Sequence, residues 1–203
     1  LIYGPLSDKY GRKPIVIFGI CLTSISSYAA SFSQTIESFL ILRFLQGVGS
    51  SACMGLGRTM AADLLQGEQL SKVGSYLTMI LALSPLTAPM FGAYILHYYG
   101  WQANFVVLAC VMLIAGLFFI MFCPETNKNK NPHAFKAKLI FTTYISLFKD
   151  RLFVGCCLLA GFSMACGLAY ATLSPFIFHS QFHLSAIEYG WYTALAGFGA
   201  IIG

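Results

Sequence analysis

Long apolar runs broken by short polar connections set the pattern of this chain. Residues 14–36 carry no charge, and 38–57 carry only Arg43. Residues 73–124 are also uncharged, too long a run for one bilayer-spanning helix of about 20 residues. The break falls at His97-Tyr98-Tyr99-Gly100-Trp101, a turn with aromatics of the kind that settle at a membrane interface. Residues 152–187 are again uncharged, and Ser174-Pro175 with His179, Ser180, Gln181 and His183 mark an exit from the bilayer. The pattern predicts helices over 14–33, 37–64, 73–96, 101–123, 151–173 and from 186 onward, with residues 1–3 ending an earlier span. Lipid demands that backbone hydrogen bonds close within each segment, and no alternation of ten-residue strands suggests a barrel.

Composition narrows the class. Of 203 residues, 58% are apolar and 9% charged, with a mean hydropathy of +0.74; soluble domains carry roughly 25% charged residues. A soluble enzyme domain, a secreted disulfide module, a disordered tail and a nucleic-acid binder are all disfavoured, which leaves an all-α polytopic membrane protein. Starting at Leu1 and stopping at Gly203 inside an apolar run, the sequence reads as a fragment of a longer protein. Every basic residue except Arg43 lies in alternate connections: Lys9, Arg12 and Lys13; Arg58 and Lys72; and Lys128, Lys130, Lys136, Lys138, Lys149 and Arg151. The positive-inside rule places connections 4–13, 65–72 and 124–150 in the cytoplasm, so the net charge of +5 is a topology signal. Residues 124–150 form a linker, with an amphipathic helix expected over 134–149. It separates residues 1–123, part of one bundle, from 151–203, the start of another. The seven cysteines lack metal-ligand spacing and read as reduced packing residues.

Arg43 stands out chemically. It lies about 9 Å into its helix from Glu37 and about 22 Å from Arg58. A cation so deep costs roughly 2.5–3.5 kcal/mol on insertion scales and by default marks a functional interior. Gln46, one turn on, is placed to share its hydrogen bonds; a structural Arg satisfied by backbone carbonyls is the alternative. Two stripes of small residues follow, Gly47/Ser51/Gly55 and Gly49/Cys53/Gly57, suggesting close neighbours on both sides of the helix. The next helix repeats the device at Ser84, Ala88 and Gly92 with Pro85 and Pro89 inside it, which suits a hinge. In segment 4–14, Gly11 permits a tight turn and Pro14 a helix start. Asp8 and Arg12 are close enough to pair, and Asp63 ends a nearby helix at the same face. A turn whose basic residues merely fix topology is an equally good reading. Ser163, Gly167, Tyr170 and Ser174 form one weakly polar face to which Tyr192 can add, suiting either a substrate cavity or ordinary packing. His179 and His183 are only a weak metal cue, and no phosphate-binding glycine loop occurs, so no metal, cofactor or ATP is expected.

In these residues the sequence resembles the major facilitator superfamily. Gly4, Leu6, Asp8, Gly11, Arg12 and Lys13 match its G-x-L-x-D-x-x-G-R-K loop, and Arg43, Gln46 and Gly47 its R-x-x-Q-G pattern. Residues 84–93 resemble the antiporter motif G-x-x-x-G-P-x-x-G-G. There Pro89 and Gly92 match outright, and Ser84, Ala88 and Ala93 replace glycines. Gly100 to Phe105 is similar to the family's outer turn, Pro124-Glu125-Thr126 to the end of its sixth helix, and Ser174 to Phe178 to the Bcr/CflA multidrug exporter branch. The resemblance implies the major facilitator fold, twelve helices in two six-helix bundles, of which this chain runs from the end of helix two into helix eight. It implies a charge relay of Asp8, Arg12 and Asp63 at the inner gate, proton coupling tuned by Arg43, and substrate contact by Gln46.

The function expected is proton-coupled export of drugs or other small hydrophobic compounds across the inner membrane by alternating access. A monomer is expected, with small-molecule substrate, protons and the bilayer as partners and no nucleic acid. A sugar or metabolite facilitator or symporter on the same fold is the alternative. A membrane enzyme fits less well, because the four histidines are scattered over both faces without acidic partners.

Overall fold

The computed structural model describes residues 3–127, 145–185, 187–193 and 195, and all regular structure among them is helical. Helix α1 spans Tyr3–Tyr10, α2 Arg12–Ala30, α3 Ile36–Leu64, α4 Gly67–Tyr99, α5 Trp101–Phe122 and α6 Arg151–Phe182. Residues 145–149 and 187–193 are also helical. Among the described residues, α2, α3, α5 and α6 are each long and apolar enough to cross a membrane.

Local chemistry sets the helix ends. The expected connection over 4–13 shrinks to Gly11 alone, because α1 continues to Tyr10 and α2 begins at Arg12. Gly11 has φ +108°, a region closed to most side chains, and its N–H still reaches Ser7 O at 2.9 Å. Pro14 falls in the first turn of α2, where a missing N–H costs nothing. Thr35 caps α3 by accepting from the Ser38 N–H at 3.3 Å. α4 starts at Gly67 rather than 73 and stays helical through Pro85 and Pro89. Gly100, at φ +83°, is the whole turn between α4 and α5. Asp150 caps α6, accepting from the Leu152 N–H at 2.9 Å.

The helix end expected at 173 is not there. α6 runs through Pro175 to Phe182 and stops at His183, which adopts the left-handed conformation at φ 53° while the Leu184 N–H closes on Phe178 O at 3.2 Å. The polar residues 179–181 are thus the last turn of a helix. Residues 187–193 start from a reciprocal cap: the Ser185 N–H donates to Glu188 Oε2 at 2.8 Å, and the Glu188 N–H to Ser185 Oγ at 3.3 Å. Of the amphipathic helix expected over 134–149, residues 134–144 lie outside the described residues.

The chain divides into two units, Leu1–Ser84 with Ile95–Ala134, and Pro85–Tyr94 with Phe135–Gly203. In the first unit α2 is the hub, packing on α1, α3 and α5. Its Ile15, Val16 and Ile20 meet Ala52, Leu56 and Met60 of α3, with Tyr3 and Leu6 of α1 and Met112 and Phe119 of α5 at the edge. Only α2 is half buried along its apolar window; α5, the most apolar of the four candidate spans, buries 11% of its own. A surface of exposed Leu, Ile, Phe and Met on these helices is unfavourable in water and neutral against lipid tails.

In the second unit the 187–193 helix lies against α4 and α6. Tyr189 and Tyr192 contact the Phe178 ring, and Ser174 and Tyr189 share a hydrogen bond of 2.8 Å.

Candidate functional site

Three helix ends meet around Arg12. Its backbone is in the first turn of α2, and its side chain, 13% exposed, forks between two carboxylates. Nη1 lies 3.0 Å from Asp8 Oδ1, one turn earlier in α1, and Nε donates to Asp63 Oδ2 at 3.1 Å near the end of α3. Nη1 also donates to Ser7 Oγ at 2.6 Å, and Ser7 is fully buried. The three residues expected to act together are therefore in contact, and the planar guanidinium makes it possible, since one Nε–H and one Nη–H can serve different acceptors at once. Exposed ion pairs contribute about 0.2–1 kcal/mol each and charged hydrogen bonds in drier sites about 1.5–3. Asp8 is 47% exposed and Asp63 29%, so the cluster as a whole belongs near 1–3 kcal/mol.

Sequence reasoning missed several members of this cluster. Glu125, Thr126 and Asn127, just after α5, fold onto it. Thr126 Oγ1 donates to Asp63 Oδ2 at 3.2 Å, and Glu125 accepts the Arg12 and Lys13 N–H groups at 2.9 and 3.1 Å. The signal was present in Pro124-Glu125-Thr126, but nothing in the sequence says where a segment more than a hundred residues away lands.

A second polar group sits further along α3. Arg43 Nη1 donates to Gln46 Oε1 at 2.6 Å; Gln46 Nε2 donates to Ser27 Oγ at 2.8 Å; Ser27 Oγ donates to Thr23 O at 2.7 Å. The expected Arg43–Gln46 pairing is present and extends onto α2. Gln46 is buried, while the Arg43 guanidinium lies 5.5 Å from the Phe105 ring centroid and opens onto a groove of about 610 Å³. Thr23, Gln46 and Ser50 line that groove with Phe44, Leu108 and Met112. Apolar walls, a few hydroxyls and one cation form the usual lining of a small-molecule site.

Between these two groups α2 and α3 touch through glycines. A Cβ on Gly49 would lie 2.7 Å from Gly19 O, and one on Gly19 would lie 2.7 Å from Gly49 O. Of the two small-residue stripes, only Gly49 and Cys53 of the second face α2; Gly57, the third member of that stripe, has no described heavy atom within 4 Å of a built Cβ. Gly47 and Gly55, on the other, have no described heavy atom within 4 Å of a built Cβ. Close neighbours on both sides are therefore not seen among the described residues.

The remaining candidates fall in or beside the second unit. Within it, Gly190 approaches α4: its Cβ would lie 3.2 Å from Met90 Cα, 3.5 Å from Pro89 O and 3.6 Å from Ala93 Cβ. Pro89 is thus at a close helix crossing and Gly92 is partly buried, while Ala88 is exposed. Ser84 is exposed too and belongs to the first unit. Tyr170 is exposed, Tyr192 stacks on Phe178, and the buried Ser174 hydroxyl is engaged by Tyr189. Among the described residues no three His, Cys, Asp or Glu side chains are grouped as metal ligands.

The family model of the Major Facilitator Superfamily matches residues 1–203. The chain is 30% identical to a bicyclomycin resistance protein homolog of Haemophilus influenzae, over 95% of this chain and 48% of that protein. It is 30% identical to the chloramphenicol resistance protein CraA of Acinetobacter baumannii, over 100% of this chain and 48% of that one. It is 29% identical to the multidrug resistance protein MdtL of Shewanella oneidensis, over 93% and 47%. The chain spans about half the length of the curated relatives it matches.

Proposed function

We propose, because the chain belongs to the Major Facilitator Superfamily, that it is part of a proton-coupled exporter of drugs or other small hydrophobic compounds, working by alternating access across a bacterial inner membrane. The observation that carries this reading is the Arg12 fork. One guanidinium holds Asp8 of α1 and Asp63 of α3 together, at the membrane face where the basic connections gather. That face is assigned to the cytoplasm by its Lys and Arg content. The one guanidinium serves both carboxylates, so neutralising either removes an attraction and weakens the latch. A cluster near 1–3 kcal/mol matches the roughly 2.3 kcal/mol released when one elementary charge crosses 100 mV.

The substrate class is one that the groove beside Arg43 suits, its walls being mostly apolar with few polar groups. It is supported by the names of the relatives, among them resistance proteins for bicyclomycin and chloramphenicol. Arg43 is assigned to proton coupling and Gln46 to substrate contact, and within the second unit Tyr170 and Tyr192 are assigned to substrate contact as well. Pro89 and Gly92, with Ser84 and Ala88, are assigned to a hinge. The test uses the full-length protein in sealed vesicles. Transport should follow an imposed pH gradient, collapse with an uncoupler, and fall at least tenfold in Arg43→Ala. Uncoupler-insensitive export would refute coupling, and substrate-stimulated proton uptake in the same direction as the solute would point to a symporter instead.

A further inference from the structure

We propose that Glu125, Thr126 and Asn127 form a clasp that sets the register of the ionic latch, with Glu125 as its positioning residue; this deepens the gate reading above and rests on it. Three consecutive residues reach three helix ends. The start of α2 has no side-chain cap of its own, because its N-cap is Gly11. Glu125 supplies one from across the unit: Oε1 accepts the Arg12 N–H at 2.9 Å and Oε2 the Lys13 N–H at 3.1 Å. A carboxylate there satisfies two donors that the helix leaves open and meets the positive end of its dipole. Lys13 acts in the same way on α5, its Nζ donating to Ile120 O at 2.9 Å in the last turn of that helix.

The other two residues extend the grip. The Asn127 N–H donates to Glu125 Oε1 at 2.9 Å, and Asn127 Nδ2 reaches Ser7 O and Asp8 O at 3.1 and 3.2 Å, at the end of α1. Thr126, 8% exposed, gives its hydroxyl to Asp63 Oδ2, the same oxygen that accepts from Arg12 Nε. Glu125 thus fixes the main chain of Arg12 while the Arg12 side chain holds Asp8 and Asp63. Space for the carboxylate depends on Gly11, where a Cβ would stand 2.5 Å from Oε2.

The experiment uses the full-length protein with wild type, Glu125→Gln, Glu125→Asp, Asp63→Asn and the Glu125→Gln/Asp63→Asn pair. Transport in vesicles under a pH gradient gives kcat and KM. Separately, Met60→Cys in a cysteine-free background reports opening of the buried α2–α3 seam through its maleimide labelling rate, whether or not transport occurs. Glu125→Gln should lower kcat roughly three- to tenfold with KM held within about twofold, and raise the labelling rate at position 60 by a similar factor. Glu125→Asp should recover some of both, and the double variant should be no worse than Asp63→Asn alone. Should Glu125→Gln fail to fold, Asn127→Ala takes its place, with a smaller change in the same direction. Wild-type kcat in the folded Glu125→Gln protein, or additive losses in the pair, overturns the clasp. A wild type that does not transport sinks the gate reading instead, and the clasp then stands or falls on the labelling rates.

Discussion

Alanine at position 49 would push apart a pair of helices that glycines hold together. A Cβ there would lie 2.5 Å from Thr23 Oγ1, 2.7 Å from Gly19 O and 2.8 Å from Thr23 N, whereas real Cβ atoms essentially never come within 3.0 Å of another heavy atom. The Thr23 hydroxyl can rotate away, but the other two obstacles are main chain and cannot, so the difference between 3.0 and 2.7 Å sets the least movement, about 0.3 Å. Overpacking of this kind costs about 1–3 kcal/mol. Alanine also gains about 0.8–1.0 kcal/mol of helix propensity over glycine, which would blur a measurement on Gly49→Ala alone. Gly47→Ala, on the open stripe of the same helix, has the same propensity gain with no described atom within 4 Å. The propensity cancels in the difference, so Gly49→Ala should be less stable than Gly47→Ala by about 1–3 kcal/mol. Denaturant unfolding of the full-length protein in detergent micelles, followed by far-ultraviolet dichroism, measures that gap. Transport by Gly49→Ala should fall as well, because moving α2 away from α3 stretches the 2.8 Å bond between Gln46 and Ser27. Equal stability of the two variants would show that the seam is not closed at this position.

Arg12→Lys should behave more like Arg12→Ala than like wild type, because a single ammonium cannot give directed donors to Asp8, Asp63 and Ser7 together; kcat for transport should drop about tenfold, and recovery to near wild type in the lysine variant would mean that charge alone suffices. Gly190→Val should destabilise the full-length protein by about 1–3 kcal/mol in the same unfolding assay, since even a Cβ would stand 3.2 Å from Met90 Cα; a neutral effect would remove the crossing from the hinge reading.

The helical class and most spans were legible because lipid leaves the sequence few options: an uncharged run of sufficient length must be a helix. Boundaries were less so. Residues 4–10 look like a polar loop through Ser7, Asp8 and Lys9, yet they are the last turns of a helix whose polar groups are paired by Arg12 and Asn127. Ser174-Pro175 looks like a helix end, but a proline removes only one donor, and α6 continues for seven residues to Phe182. At the site, Asp8 with Arg12 was readable from their nearness in the 4–14 segment and Asp63 from ending a helix at the same face, while their joint role came only from the family resemblance. Glu125 was not readable as a partner, because its role depends on α5 bringing residue 125 back beside residue 12. Which small-residue stripe packs was equally invisible, since Gly47 and Gly49 differ only in the direction they face.

The ties between α2 and α3 differ in kind as well as place. Near one end Asp63 meets Arg12 by charge; at the middle Gly49 meets Gly19 by close contact; further along Gln46 meets Ser27 by a neutral hydrogen bond. Gln46 and Asp63 are separated along α3 by about 26 Å of helical rise. Of the three ties, only the first is an ion pair. Asp63→Asn should therefore weaken the attachment of α3 to α2 at the Arg12 end alone, while the glycine contact and the Gln46 bond, about 21 to 26 Å away along the helix, keep the other end closed. A thiol placed at Met60, beside the ionic end, should then label faster than in wild type, whereas one placed at Ala52, beside the glycine contact, should not. Equal acceleration at both positions would mean that the helices separate as a whole and that the three ties do not act independently.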